Sequence, residues 1–397
     1  MRGTTVTPPA GDEQTIVCVL TPTGRGAVAV VAVAGTGAVR AVDQCFVAKN
    51  GHPLDRQPLG RIVYGHWQSE VGEDLVVCRR SDALVEVNCH GGAQSVATVV
   101  GQLVEAGCRE ISWQEWVKRS QACPIQAAAQ IALADAATAR TATILLDQFH
   151  GALRREVEAI RSALLNNQLK DATSHLEALI AWVPCGLHLT EPWQVVIAGR
   201  PNVGKSSLIN ALVGYRRAIV FDQPGTTRDV VSSTTVIDGW PVRLSDTAGL
   251  HVTTDALESA GIEQARALLA ESDLVVWVED ATTTDPNFLT ERTELLHQRA
   301  TELNLVLPPR QLVVLNKIDL ATHAATDSTL ATSALTGQGI EQLLAAISLQ
   351  CVPTAPEAGA AVPFTTRQAE LLQAAGESVN QDNGEQALEL LETLLKH

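Results

Sequence analysis

The chain has 397 residues, which is enough for two or three domains of roughly 100 to 200 residues each. Hydrophobic residues make up 46% of the chain and charged residues 18%, proportions typical of soluble globular proteins. The formal net charge of −15 argues against a protein that binds nucleic acid over its whole surface, because phosphate binding needs clustered Lys and Arg.

Eight scattered cysteines without a CxxC pair predict reduced thiols in a cytoplasmic protein. The first 15 residues lack the apolar core of a secretory signal, and the run "AVAVVAVA" is much shorter than the roughly 18 residues that span a bilayer. We therefore expect a soluble cytoplasmic protein that has no membrane partner.

Residues 1–116 predict an α+β domain. The short β-branched runs "TIVCVL", "AVAVVAVAG" and "ALVEVNC" are typical of strands, whereas "GGAQSVATVVGQLVEAGC" has helical spacing. From about 124 to 183, apolar residues recur every three or four positions, which predicts long amphipathic helices. The chain becomes helical again after 351, and we expect the segments 117–190 and 351–397 to pack together.

Residues 191–350 alternate between predicted strands and helices. The segment "VPCGLHLTEP" is expected to end the preceding helices, because it contains two prolines and a glycine. The strand-like runs "QVVIA", "VVSSTTVI", "VRLSD", "LVVWV" and "QLVVLN" then alternate with helical stretches, which predicts a doubly wound, mainly parallel sheet. The simplest architecture inserts this α/β domain between the two helical segments.

The sequence "GRPNVGKSS", from Gly199, follows the strand "VVIA" and fits the pattern GxxxxGK[ST]. Its glycines let backbone N–H groups and a helix N-terminus face a nucleotide β-phosphate. Lys205 would reach the β- and γ-phosphates, and the Ser206 hydroxyl would bind Mg²⁺. The expected nucleotide contacts of this loop are Asn202, Val203, Gly204, Lys205, Ser206 and Ser207.

The sequence "LSDTAGL" predicts a second phosphate contact. Asp246 follows a predicted strand, where its carboxylate can hold the metal through water, and the Gly249 amide can sense the γ-phosphate. The expected contacts are Asp246, Thr247, Ala248 and Gly249. The next residue is Leu250, whose aliphatic side chain cannot activate a water, so the attacking water needs another partner.

The sequence "NKID", Asn316 to Asp319, predicts guanine selectivity. The Asp319 carboxylate can accept hydrogen bonds from guanine N1–H and its exocyclic amine, and adenine would leave that carboxylate unpaired. The loop "TSALTGQG" offers the Ala334 amide to the base carbonyl. The expected base contacts are Asn316, Lys317, Asp319, Ser333 and Ala334.

These motifs occur in the expected order at the carboxyl ends of predicted strands. They predict an α/β P-loop GTPase domain with a doubly wound, mainly parallel sheet, inserted in an α-helical domain and preceded by an N-terminal α+β domain. The nucleotide would be GTP with Mg²⁺.

Other segments resemble the MnmE (TrmE) family of tRNA modification GTPases: "PGTTRD" at 224–229, "ESAGIEQA" from Glu258, "TIVCVLTPTGRGAVAVVAVAG" and "EVNCHGG". The resemblance covers most of the chain, most strongly 194–345. It implies a folate-binding and dimerisation domain at 1–116, a helical domain at 117–190 with 351–397, and a TrmE-type G domain at 191–350. It also implies a homodimer that acts on the tRNA wobble uridine with the flavin-containing partner MnmG (GidA).

The resemblance also implies how water is activated without help from Leu250. In this family the G domains dimerise, and potassium takes the place of an arginine finger. Thr227 would bind Mg²⁺ with Ser206, and Glu258 would orient the attacking water through a second water. The implied catalytic residues are Lys205, Thr227, Gly249 and Glu258, and the implied potassium ligands are Asn202, Phe221, Gln223 and Thr226.

The family's formyl-tetrahydrofolate site is only partly matched. Glu86 is in place, but Ala32 stands where the family usually has an arginine in "GILRISG". The segment "ISWQEWVKRSQACP" replaces the family's "GEFTxRAFLNGK", and the chain ends in "LETLLKH" without the family's "CIGK". Two alternatives therefore stay open beside a tRNA-modifying GTPase. One is a nucleotide-gated interaction module that has lost folate-dependent chemistry, and the other is an Era- or Der-like ribosome assembly GTPase.

Overall fold

The computed structural model describes residues 14–22, 24, 26–69, 72–215, 232–246, 267–283, 310–321 and 330–396. Contacts divide the chain into two compact units. The first unit comprises the residues up to 131 together with those from 392, and the second comprises residues 132–391. The predicted three-domain division at 116, 190 and 350 stays a prediction.

The first unit is built on a seven-stranded sheet. Its strands are β1 (Ile16–Val19), β2 (Val28–Ala34), β3 (Phe46–Ala48), β4 (Ile62–Trp67), β5 (Glu73–Ser81), β6 (Leu84–His90) and β7 (Arg109–Glu110). Their order is β3-β4-β5-β6-β2-β1-β7, and every neighbouring pair is antiparallel except β1 and β7. The helices of this region are α1 (Ala38–Asp43), α2 (Ala93–Glu105), α3 (Trp113–Ser120) and α4 (Pro124–Asp135).

The two faces of this sheet differ in how they are covered. Alternate side chains of each strand point to opposite faces, so Val31 and Val87 join the main core while Ala32 joins a smaller cluster with Trp116. Over β3 and β4 one face stays open, and there Val47, Ile62 and Tyr64 are 49%, 71% and 52% exposed. The predicted α+β character of the N-terminal domain is confirmed.

The second unit begins with helices. The remaining helices of the described ranges are α5 (Ala139–Phe149), α6 (Ala152–Leu165), α7 (Leu169–Ala181), α8 (Val183–Leu187), α9 (Lys205–Val213), α10 (Ile340–Cys351), α11 (Thr366–Asn380) and α12 (Gly384–Leu395). Helix α7 packs against both α6 and α11, so the helical segments before and after the α/β domain meet as predicted. The fully buried Gln148 side chain joins them, because it donates to the Ala360 carbonyl at 3.0 Å and accepts from the Val362 amide at 3.1 Å.

The expectation that "VPCGLHLTEP" ends the helices was wrong for its first half. Residues Val183–Leu187 form the short helix α8, and Pro184 lies in its first turn. A proline is tolerated there because the first helical N–H groups have no partner within the helix.

The second unit contains a six-stranded sheet. Its strands are β8 (Trp193–Gly199), β9 (Ser232–Ile237), β10 (Trp240–Asp246), β11 (Leu274–Asp280), β12 (Gln311–Asn316) and β13 (Leu330–Ala331), in the order β13-β12-β11-β8-β10-β9. All neighbours are parallel except β9 and β10. This confirms the doubly wound, mainly parallel sheet. The carboxyl ends of β8, β10, β11 and β12 meet at one edge, which is where open α/β sheets bind ligands.

The turn between β9 and β10 contacts the start of α5 through a hydrogen bond and an ion pair. The Thr138 hydroxyl donates to the Gly239 carbonyl at 2.7 Å, and Arg140 pairs with Asp238 at 3.1 Å. The Arg140 guanidinium also lies 5.4 Å from the ring centroid of Trp240. These contacts fix the end of β10 that is remote from Asp246.

All eight cysteines lie in the described ranges, and all are buried with free thiols. Burial is the main cause that raises the pKa of Cys18 and of Cys351 to about 12, and the pKa of Cys108 and of Cys185 to about 11. Among the helices of the described residues, none has the length and apolar character that a membrane crossing requires.

Candidate functional site

The loop between β8 and α9 has a backbone that depends on glycine. Gly199 has φ of 146° and Gly204 has φ of 93°, both in the region that disfavours residues with a Cβ. A Cβ on Gly199 would collide with the Val278 carbonyl, and one on Gly204 would collide with the Asn316 amide. The loop therefore folds back tightly over the sheet edge, as the GxxxxGK[ST] pattern predicts.

Lys205 begins α9, and its ammonium lies inside this loop. The residue is 4% exposed, and its Nζ donates to the carbonyls of Gly199 at 3.0 Å and Arg200 at 2.9 Å. Burial lowers the pKa of Lys205, and the nearby Asp246 opposes part of that shift. A cation held at the centre of a glycine loop is suited to phosphate oxygens.

Ser206 and Asp246 lie side by side at the start of α9 and the end of β10. The Ser206 hydroxyl donates to Asp246 Oδ2 at 2.6 Å, and Asp246 is 2% exposed. A hydroxyl and a carboxylate are the oxygen ligands that Mg²⁺ accepts, beside nucleotide phosphates. The donor set therefore fits the predicted magnesium, for which Ser206 would be a direct ligand and Asp246 a partner through water.

Asn316 connects the predicted base-binding loop to the predicted phosphate loop. It is 1% exposed at the end of β12, and its Nδ2 donates to the Val203 carbonyl at 2.9 Å. Its Oδ1 accepts from the Ala334 amide at 3.2 Å and the Thr332 hydroxyl at 3.3 Å. One side chain thus joins the phosphate loop and the 332–334 segment to the end of β12.

Lys317 and Asp319 follow on a short 3₁₀ segment, Ile318–Leu320. Lys317 has φ of 66°, and its Nζ donates to the Asn202 carbonyl at 2.6 Å. The Asp319 side chain is exposed, so its carboxylate is free to face a base. Ser333 is fully buried in the neighbouring loop, where its hydroxyl accepts from the Thr336 amide at 3.1 Å.

The structure therefore brings together the predicted residues of the phosphate loop, Asp246 and the base loop. The remaining predicted site residues lie outside the described residues: Phe221, Gln223, Thr226, Thr227, Thr247, Ala248, Gly249 and Glu258. Sequence reasoning missed Asp280, which ends β11 at the same edge. The available signal was the acidic end of "LVVWVED", at the position where Asp246 and Asn316 end their own strands.

Glu86 lies in the first unit, on β6, directly opposite Ala32 on β2. Its carboxylate accepts a hydrogen bond from Arg80 Nε at 2.7 Å, and the Glu86 side chain is 12% exposed. Ala32 is fully buried among apolar neighbours such as Ile16 and Cys18. Position 32 therefore supplies a buried methyl group and no cation for an anionic ligand, and the Glu86 carboxylate is already paired with Arg80.

Comparisons with known proteins identify the families that this chain resembles. The family "GTP-binding protein TrmE N-terminus" matches residues 15–122, and the family "50S ribosome-binding GTPase" matches residues 194–317. The tRNA modification GTPase MnmE of Geobacillus thermodenitrificans is 33% identical, with 84% of this chain and 81% of that protein covered. The protein of the same name from Carboxydothermus hydrogenoformans is 32% identical, with 78% and 73% covered.

Among solved structures, Era of Aquifex aeolicus bound to GDP and AlF4− is 28% identical over 41% of this chain and 57% of the Era chain, with a TM-score of 0.30. The sequence relatives share far more of this chain, and their identity exceeds 30% over most of both proteins. The chain is therefore a GTP hydrolase and belongs to the MnmE family of tRNA modification GTPases.

Proposed function

We propose that this chain hydrolyses GTP with Mg²⁺ and a catalytic potassium ion, and that this hydrolysis serves modification of the tRNA wobble uridine in the cytoplasm. The observation that best supports the nucleotide chemistry is that the predicted residues meet at the loop between β8 and α9. Lys205, the Ser206–Asp246 pair and Asn316 all contact this loop or the start of α9. The proposed partners are tRNA and the flavin-containing MnmG (GidA) protein.

We propose a catalytic cation because Leu250 follows the "DTAG" sequence, where a water-activating side chain would be expected. A leucine cannot orient water, and an arginine finger accounts for roughly 10³ to 10⁵ in the rates of other GTPases. A potassium ion held by Asn202, Phe221, Gln223 and Thr226 would supply that positive charge. Thr227 as a second magnesium ligand and Glu258 as the residue that orients water complete the proposal.

We expect GTP hydrolysis to be at least about tenfold faster in potassium chloride than in sodium chloride at equal ionic strength. Phosphate release measured in the two salts checks this. The matched variant is Asn202→Gly, because Asn202 has φ of 65° and glycine keeps that backbone while removing the side-chain oxygen. The variant should lose most of the difference between the salts, and equal rates for the unaltered protein would contradict the proposal.

We also propose that the protein is a homodimer. The open sheet face over β3 and β4 supports this, since Val47, Ile62 and Tyr64 form an exposed apolar group on one face of the first unit. Such a group is expected where a soluble domain is covered by a partner. A second copy is the occupant that the family resemblance implies.

A second candidate function is a nucleotide-gated interaction module without folate chemistry. The observation that favours it is the arrangement of Ala32, Glu86 and Arg80, which offers no cation at position 32 and uses the carboxylate internally. Against the Era- or Der-like alternative, the relatives that cover most of this chain carry the MnmE name.

We expect no saturable binding of 5-formyl-tetrahydrofolate at concentrations where the same sample binds GTP. Calorimetric titration of both ligands measures this, and GTP is the internal control for a folded protein. Folate binding would contradict this expectation and would favour retained one-carbon chemistry. Supplying the chain to a strain that lacks the family enzyme, and then analysing its wobble uridine, decides between the two candidates.

A further inference from the structure

An acidic residue at the end of β11 is paired with the lysine of the base-selecting motif. Asp280 Oδ2 lies 2.7 Å from Lys317 Nζ, and the two side chains are 15% and 30% exposed. The sheet register produces this pair, because β11 and β12 are parallel neighbours in which Asp280 lies opposite Asn316. The next residue, Lys317, can therefore reach back to the carboxylate.

The same lysine also contacts the phosphate loop. Its Nζ donates to the Asn202 carbonyl at 2.6 Å, so one ammonium joins the end of β11 to the backbone just before Gly204. The second carboxylate oxygen of Asp280 accepts from the Thr282 amide at 2.9 Å and from its hydroxyl at 2.6 Å. Both oxygens of Asp280 are thus held in place.

The charge state of Asp280 suits this arrangement. Burial acts to raise the pKa of its carboxyl, but the hydrogen bonds from Lys317 and Thr282 together outweigh burial and lower the pKa below its usual value. The carboxylate is therefore ionised at neutral pH. A charge-assisted hydrogen bond between ionised partners is stronger than a neutral one, so Lys317 has a fixed position.

We propose that Asp280 is a positioning residue for guanine nucleotide binding: it holds Lys317 against the Asn202 carbonyl and so fixes the base-selecting loop to the phosphate loop. Without this carboxylate, the bond from Asn316 to the Val203 carbonyl still connects the two loops. Lys317 would lose its counter-charge and its defined geometry. The proposal rests on the GTP binding proposed above and requires neither the potassium ion nor the tRNA step.

The test is Asp280→Asn, which keeps the size of the side chain and removes its charge. We expect KM for GTP to rise and GDP to dissociate faster, each by about tenfold, a size typical of coupling between two sites. We expect kcat to change less than about threefold, because the proposed role of Asp280 is in nucleotide binding and not in the chemical step. Stopped-flow dissociation of fluorescent GDP and steady-state hydrolysis measure these quantities.

The matched control is Asp238→Asn, which breaks the ion pair with Arg140 in the turn between β9 and β10, away from the nucleotide site. It should leave nucleotide dissociation and KM unchanged, even if thermal stability falls. In a Lys317→Ala background, Asp280→Asn should add almost nothing, because the two residues act as one unit. Unchanged dissociation in Asp280→Asn, or an equally large effect in the Lys317→Ala background, would overturn the proposal.

Thr282→Val provides a milder variant if Asp280→Asn fails to fold. Its hydroxyl bond to Asp280 is exposed, so its loss is compatible with folding. As for Asp280→Asn, we expect GDP to dissociate faster, here by about two- to threefold, because one of the hydrogen bonds that hold the Asp280 carboxylate is removed. A dissociation rate equal to that of the unaltered protein would count against the positioning role.

Discussion

Replacing Lys205 with alanine is expected to lower the rate of GTP hydrolysis by roughly 10² to 10³, the usual loss when one donor to developing negative charge is removed. Lys205 is the buried cation at the centre of the phosphate loop, with its Nζ at 3.0 Å from the Gly199 carbonyl. In the proposed site its charge would meet the β- and γ-phosphates, where negative charge develops during transfer. Single-turnover hydrolysis with saturating GTP measures the effect on the chemical step.

Two further variants make the Lys205 result interpretable. Lys205→Met keeps the apolar stem and should show a similar loss of rate. Such a loss would show that the effect of alanine comes from the missing charge and not from a cavity. Lys170→Ala removes an exposed lysine of α7 and should leave the rate unchanged. Hydrolysis by Lys205→Ala within threefold of the unaltered protein would mean that the phosphates do not bind at this loop.

Asp319→Asn is expected to weaken GTP binding by at least about 10²-fold and to create binding of xanthosine triphosphate. The carboxylate would accept two hydrogen bonds from guanine, whereas an amide presents an N–H donor that suits the 2-carbonyl of xanthine. Asp319 is exposed, so the substitution leaves the core intact. Competition of the two nucleotides against fluorescent GDP measures the change.

The control for Asp319 is Asp171→Asn, an exposed acid on α7 that lies outside the nucleotide site. It removes the same charge and should preserve the preference for GTP. If Asp319→Asn still prefers GTP over the xanthine nucleotide, another residue must read the 2-position of the base. The base-selecting role of the "NKID" sequence would then be wrong.

The part of the site that sequence predicted best is the part where a motif follows a strand. Gly199, Asp246 and Asn316 each end a buried strand of the parallel sheet, and parallel strands place such ends at one edge. The two-residue strands β7 and β13 are too short for any periodic pattern. Asp280 could not be predicted as a site residue, because its contact with Lys317 depends on the register of β11 with β12, which a single sequence does not reveal.

The folate-like region shows a different limit. The sequence marked Glu86 and Ala32 separately, and the structure shows that they face each other across β6 and β2. The partner of Glu86 is Arg80, which lies at an irregularity in β5 between Arg79 and Ser81. Such a bulge changes which side chains meet, and the sequence carries no separate signal for it.

The eight buried cysteines allow unfolding of this protein to be followed by the alkylation of their thiols. Thiolate is the species that alkylating reagents attack, and at neutral pH a thiol with a pKa of about 12 is ionised in only about one molecule in 10⁵. Because all eight thiols are buried, we expect a reagent to reach them only when the chain opens. Six of the thiols lie in the first compact unit, and Cys185 and Cys351 lie in the second, so mass spectrometry of the modified peptides would time the opening of each unit separately.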